Sequence, residues 1–103
     1  MDTYQKSKQF LKDAKAQAVA HGYNPDLLEL GTDEKHKLTY HSPEGIKHFG
    51  LLGYGDYLYY RRYEPKIAKM KRSVFRTSHK EISRIHHLGK YSPNELALAI
   101  LWS

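Results

Sequence analysis

The side chains here that most invite chemistry are seven histidines: His21, His36, His41, His48, His79, His86 and His87. Neutral imidazole is the commonest metal ligand. A zinc site needs three or four ligands converging on one point, usually as HExxH or as two histidines with a carboxylate. Neither arrangement occurs in this sequence. His79 and His86 are two helical turns apart, too far to share an ion without a third group between them. There is no cysteine, so disulfides and thiolate sites are excluded. The run Gly50-Leu51-Leu52-Gly53-Tyr54-Gly55 is glycine-rich but lacks the Lys-Ser/Thr of a phosphate loop. It is expected to lie between two strands, as turns that need positive φ. Asp56 and Glu44 are isolated carboxylates, and no serine or threonine sits in a nucleophile elbow. These residues point to a protein that is not an enzyme and carries no metal or cofactor. A small nuclease or metal protein built on the histidines is the weakest reading.

The cations are different. The chain has a net charge of +6. From Arg61 to Lys90 there are ten cationic side chains and two carboxylates, and elsewhere seven against nine, so the positive character lives in this one stretch. Arg61, Arg62, Lys66, Lys69, Arg72, Arg76, Lys80 and Arg84 are the candidate binding residues. Spread along a helix, such side chains bind an acidic protein surface or the phosphates of nucleic acid. Contacts of this kind follow a backbone and do not read bases. In the nucleic-acid reading Lys69, Arg72, Arg76, Lys80 and Arg84 bind phosphates, and Tyr57, Tyr59 and Tyr60 stack bases of a single strand.

A helix must position these cations. Pro65 suits its first residue. Ile67, Met70, Val74, Ser78, Ile82 and Ile85 recur at steps of three and four and define an apolar face. That face is expected to pack inward, with Lys69, Arg72, Arg76, Lys80 and His87 opposite. Ser78-His79-Lys80-Glu81 fits a capping box, so the helix breaks near Thr77 or runs through to Gly89.

Four other segments complete the chain. A helix is expected over residues 3–21, with Asp2 as its cap, an apolar side of Phe10, Leu11, Ala14, Ala18 and Val19, and a stop at Gly22. Residues 25–34 read as a connector whose Leu27, Leu28 and Leu30 dock on the core. Residues 36–49 read as a hairpin turning at Ser42-Pro43-Glu44-Gly45, with Leu38 and Tyr40 on one face. A third strand is expected over Asp56–Tyr60. Ser92-Pro93-Asn94-Glu95 then starts a last helix by cap, proline and capping box. Its continuation, Leu96 to Trp102, is apolar on every side. Such a helix is buried in its own domain or against another chain. Leu98, Leu101 and Trp102 are the candidate interface, for a second copy of the chain or a shell protein.

The whole is expected to be one α+β domain over 1–103. A small antiparallel sheet of three strands is packed by an N-terminal helix, a basic amphipathic helix and a short apolar C-terminal helix. No apolar run is long enough to span a membrane, no membrane partner is expected, and MDTYQKSKQF lacks a signal-peptide core. The nine tyrosines suit half-buried strand positions or an interface.

Short aromatic and glycine motifs add a resemblance. They are Lys35 to Tyr40, Ser42-Pro43-Glu44-Gly45, His48-Phe49-Gly50, Gly53-Tyr54-Gly55-Asp56-Tyr57, and Tyr91-Ser92-Pro93-Asn94 to Ile100-Leu101-Trp102. From Lys35 to Trp102 the chain resembles a family of small uncharacterised proteins of large DNA viruses. The resemblance implies a structural protein in or near the virus particle; the missing cysteines and signal-peptide core add the expectation of a virion or host-cell interior location and no secretion. It brings no catalytic residues.

Overall fold

Alternation builds the sheet. A computed structural model describes the backbone of residues 2–103 and the side chains of residues 3–103. Strands β1 (Leu28–Leu30), β2 (His36–Ser42) and β3 (Gly45–Leu51) form an antiparallel sheet in the order β1-β2-β3. Leu28 lies opposite Tyr40, Leu30 opposite Leu38, and Leu38 opposite Phe49. With side chains alternating along each strand, these five form one apolar face. The hairpin is as expected. The supposed connector supplies β1, because Leu28-Glu29-Leu30 already has the two-residue period of a half-buried strand.

Helices α1 (Asp2–Gln5) and α2 (Lys8–Ala20) replace the single N-terminal helix. The chain breaks at Ser7, whose hydroxyl accepts from the Phe10 N–H at 3.1 Å and donates to the Tyr4 carbonyl at 2.6 Å. Serine at an N-cap satisfies a backbone donor that the helix leaves unpaired. Asp2, expected as the cap, lies outside the described side chains. Phe10, Ala14 and Ala18 are buried at four-residue steps, whereas Val19 faces solvent. The break frees Gln5 to clamp a distant loop: its amide donates to the Tyr54 carbonyl at 2.7 Å and accepts from the Gly53 N–H at 2.9 Å.

The expected third strand is a helix, α3 (Tyr57–Tyr63). Asp56 explains the change. One carboxylate oxygen caps α3 through the Tyr59 N–H at 2.9 Å, and the other takes the Lys37 ammonium at 2.8 Å. Both side chains are almost fully buried. A buried ion pair persists only when its remaining polar atoms are also satisfied, and here helix formation satisfies the second carboxylate oxygen. Gly55 lies close under Tyr60: a Cβ there would come within 2.6 Å of the ring and push it aside. The glycine run therefore leads into a helix, though Gly50 and Gly53 do adopt the expected positive φ.

The remainder is helical. α4 (Pro65–His86) is one uninterrupted helix of 22 residues, ended by His87 in the left-handed conformation. The capping box at Ser78 does not form. Its hydroxyl instead bonds back to the Val74 and Phe75 carbonyls, which lets the helix continue. α5 (Pro93–Leu96) starts with the expected cap and proline, Ser92 accepting from the Glu95 N–H at 3.1 Å, but the capping box is not completed because the Ser92 N–H goes to the Gly89 carbonyl; the helix runs on as a π-helical turn, Ala97–Leu101. The α+β class, the three-stranded sheet and the covering helices match the expectation.

Candidate functional site: two faces of the basic helix

The packed face of α4 is not its apolar one. α4 lies against α3 and the C-terminal segment. Ala68 is its one buried residue, and Lys71, Arg72, Phe75, Arg76, His79 and Ser83 are half-buried around the same side. Each makes a specific contact. The Phe75 ring is sandwiched between His79 at 3.6 Å and Trp102 at 4.3 Å, all three rings nearly parallel. His79 Nδ1 pairs with Asn94 Oδ1 at 2.7 Å, and the Asn94 amide donates to the His79 carbonyl and to Ser83 Oγ. The Arg72 guanidinium covers the Tyr57 ring at 4.3 Å. Arg76 donates through Nη1 to the carbonyls of Leu98 and Trp102, at 3.0 and 3.2 Å. Carbonyls at a helix C-terminus have no intrahelical donor, so Arg76 acts as their cap.

The apolar residues expected to face inward are therefore turned out. Val74, Ile85, Met70 and Ile82 are exposed, and only Ile67 is partly covered. At about 100° per residue, their stripe lies roughly 100° around the helix from the packed face. The physical reason is a choice between two kinds of burial. Docking the stripe would bury a few β-branched side chains, but it would leave the C-terminal carbonyls uncapped and Trp102 without its stack.

This rotation sorts the candidate cations. Arg72 and Arg76, expected on the solvent face, are drawn into packing. Arg62 bridges to Asp13 at 2.9 Å. Burial pushes the Asp13 carboxyl up, but hydrogen bonds from Tyr4, Gln9 and Arg62 outweigh it and hold the group below its usual range. Arg84 pairs with Glu81 on the surface, which raises the arginine and lowers the carboxyl. Arg61, Lys66, Lys69 and Lys80 are exposed, and among the described residues no carboxylate pairs with them. By helical spacing, Lys66, Lys69, Lys80 and Arg84 share one ridge about 27 Å long, turned about 120° around the helix from the apolar stripe.

The other proposed surface is corrected. Leu98, Leu101 and Trp102 are buried in the chain's own core with Leu96 and Ile100. Leu101 packs beside Gly50, where a Cβ would come within 2.7 Å of its methyl. They cannot present their side chains to a partner. The apolar-all-round pattern meant burial, and α2, β3 and α4 supply the cover.

Several of the tyrosines and histidines also find partners within the fold. Tyr57 lies under Arg72, Tyr60 tilts against Trp102, and Tyr59 against Tyr63, so none is an open stacking platform. His36 bonds Asp33 at 2.7 Å, His48 bonds Thr39 at 3.0 Å, and His41 bonds Glu29. Slight desolvation raises Asp33, but bonds from the His36 side chain and from the His36 and Lys35 N–H groups hold it at about 2. Among the described residues no cluster of three or more metal-ligating side chains is placed to hold an ion. A cleft of about 530 Å³ opens between β3 and the α4–α5 pair, lined by His48, Phe49, Phe75, His79 and Trp102. Among the described residues no helix is long and apolar enough to cross a membrane.

Comparison of the chain with protein-family models, with curated proteins and with solved structures finds no match in any of the three.

Proposed function

We propose that this protein is a non-enzymatic docking component that binds acidic protein surfaces through α4. The observation that carries the reading is the ridge of Lys66, Lys69 and Lys80, solvent-facing and, among the described residues, without a carboxylate partner, on a helix fixed by Phe75, Arg76 and His79. The fixed helix sets the spacing of the three lysines before binding, and complementary charge sets partner choice and speeds encounter. The resemblance to small proteins of large DNA viruses supplies the setting: a virion-associated protein whose acidic partner belongs to the particle.

A second reading, nonspecific binding of nucleic acid, rests on the same ridge. It is weakened by the occupation of Arg72, Arg76 and the tyrosine rings within the fold. Three remaining lysines give a shallow salt dependence, a logarithmic slope of roughly −3 on duplex DNA.

The test is salt-dependent retention on polyglutamate and on duplex DNA, for the wild type and a Lys66→Glu/Lys69→Glu/Lys80→Glu variant. The reading expects retention on polyglutamate that the variant loses. Undiminished retention of the variant rejects it, and retention on DNA alone transfers the ridge to the second reading.

A further inference from the structure

The outer edge of the sheet offers backbone groups with nothing to pair them. β3 is an edge strand, since the sheet runs in the order β1-β2-β3. The Gly31 N–H bonds the Lys37 carbonyl, which turns the odd-numbered residues of β2 toward β1 and the even-numbered ones toward β3. Lys47 and Phe49, opposite Tyr40 and Leu38, therefore take the ladder bonds, while Ile46 and His48 aim their N–H and C=O groups away from the sheet. Among the described residues no hydrogen bond reaches those outward groups.

The aromatic cleft lies along this same edge. His48, Phe49, Gly50 and Leu51 are consecutive, and all four line it. Successive side chains of a strand point to opposite faces, so a cavity that meets all four follows the strand's edge and does not sit over one face. Phe75, His79 and Ala97 stand on its far side. The cleft is thus a groove with an unpaired strand edge on one wall and helices on the other.

We propose that this groove takes an extended segment of a partner protein, which adds to β3 as a fourth strand. Its alternate residues are apolar and pack against Phe49, Phe75 and Trp102, and it carries no basic side chains. Only another extended backbone matches outward N–H and C=O groups at strand spacing, and pockets beside the edge then select alternate side chains. At about 3.3 Å per residue, His48 to Leu51 face roughly 10 Å of added strand. Charge agrees: Lys37 and three imidazoles, those of His36, His48 and His79, line the groove, and no carboxylate does. A second copy of the chain fits badly. It is itself cationic, at +6, and its own β3 edge lies behind its own helical wall. None of the α4 ridge lysines lines the groove, so this inference stands apart from the docking reading above.

Trp102 is the sole tryptophan and lines the groove, so its emission reports occupancy. The probe is a capped, uncharged peptide, Thr-Val-Thr-Leu-Thr-Val-Thr, which the lysine ridge has no charge to attract. Its control is the same peptide N-methylated at every peptide bond, which keeps the side chains and removes the backbone donors. Both are titrated into the wild type, His48→Ala and His48→Pro, with circular dichroism checking each fold. The proline removes an outward N–H and no ladder bond; the alanine removes the same side chain and keeps that N–H. The expected result is a saturable change in Trp102 emission, at least about tenfold weaker for the methylated peptide and for His48→Pro than for the parent peptide on His48→Ala. A peptide with lysine in place of threonine binds more weakly than the parent. Equal binding of the methylated peptide overturns strand addition, as does equal binding by the two His48 variants or no saturable change with the parent peptide. If His48→Pro does not fold, the methylated peptide decides alone. A dimer in sedimentation that His48→Pro dissolves and the peptide does not overturns the partner segment in favour of a second copy.

Discussion

The C-terminal segment and α4 differ in a way their sequences invert. Leu96 to Trp102 is apolar on every side and reads as a surface seeking another chain; it is the centre of the core. α4 is amphipathic and reads as a helix with its apolar face tucked in; its apolar stripe faces water. The two inversions have one cause. The C-terminal helix is short, and its last carbonyls lie where only a long donor can reach them. Arg76 reaches them, Phe75 stacks on Trp102, and Asn94 ties α5 to His79. These contacts set the rotation of α4, and the apolar residues follow wherever that rotation puts them. Hydrophobic periodicity shows that a helix has a face. It does not show which face the neighbours claim.

That contrast sets the expected effects of mutation. The largest is in the C-terminal core: Leu101→Ala removes a buried side chain beside Gly50 and is expected to cost about 2–5 kcal/mol in urea denaturation. Loss of less than about 1 kcal/mol would mean that the segment is not core. Next comes the link between the regions. Arg76→Ala leaves the Leu98 and Trp102 carbonyls without their donor and is expected to cost about 1–3 kcal/mol, with Arg76→Lys recovering only part of it.

The third prediction concerns pH. Tyr23 is buried, donates to the Lys90 carbonyl, and lies within the influence of Glu95; burial first and that charge second push its phenol up to about 12. A raised folded value means the contribution is whole below the ordinary value of about 10 and is lost as pH rises through about 12. Its own share of the stability should be constant through neutral pH and fall between those limits, on the order of 2 kcal/mol by the top; Tyr23→Phe should remove that share and leave the one from Tyr4, whose buried phenol is also raised. The smallest effect belongs to α4's stripe. Val74→Ser and Ile85→Ser should each change stability by no more than about 0.5 kcal/mol, as surface substitutions do. A cost like that of Leu101→Ala would place the stripe inside.

Much of the fold is legible in the chain. The hairpin follows from alternation and the Ser42–Gly45 turn, the last helix from Ser92-Pro93, and α4 from its periodicity. β1 was legible too, in three alternating residues that a connector assignment concealed. α3 was harder, because Tyr57 to Tyr60 favours a strand by propensity while Asp56, as cap and ion-pair partner, decides for a helix. The candidate site was legible in composition and not in geometry. Lys66, Lys69 and Lys80 stand where spacing puts them, but nothing local marks Arg76 as a cap for carbonyls 22 and 26 residues away.

Thiol labelling compares the two regions most directly, since the chain has no cysteine of its own. Val74→Cys, on the stripe, and Ile100→Cys, in the C-terminal core, are each exposed to a thiol reagent under native conditions. The account predicts that Cys at 74 reacts about as fast as in the unfolded chain, while Cys at 100 is protected at least about a hundredfold. Equal protection at both positions would contradict it.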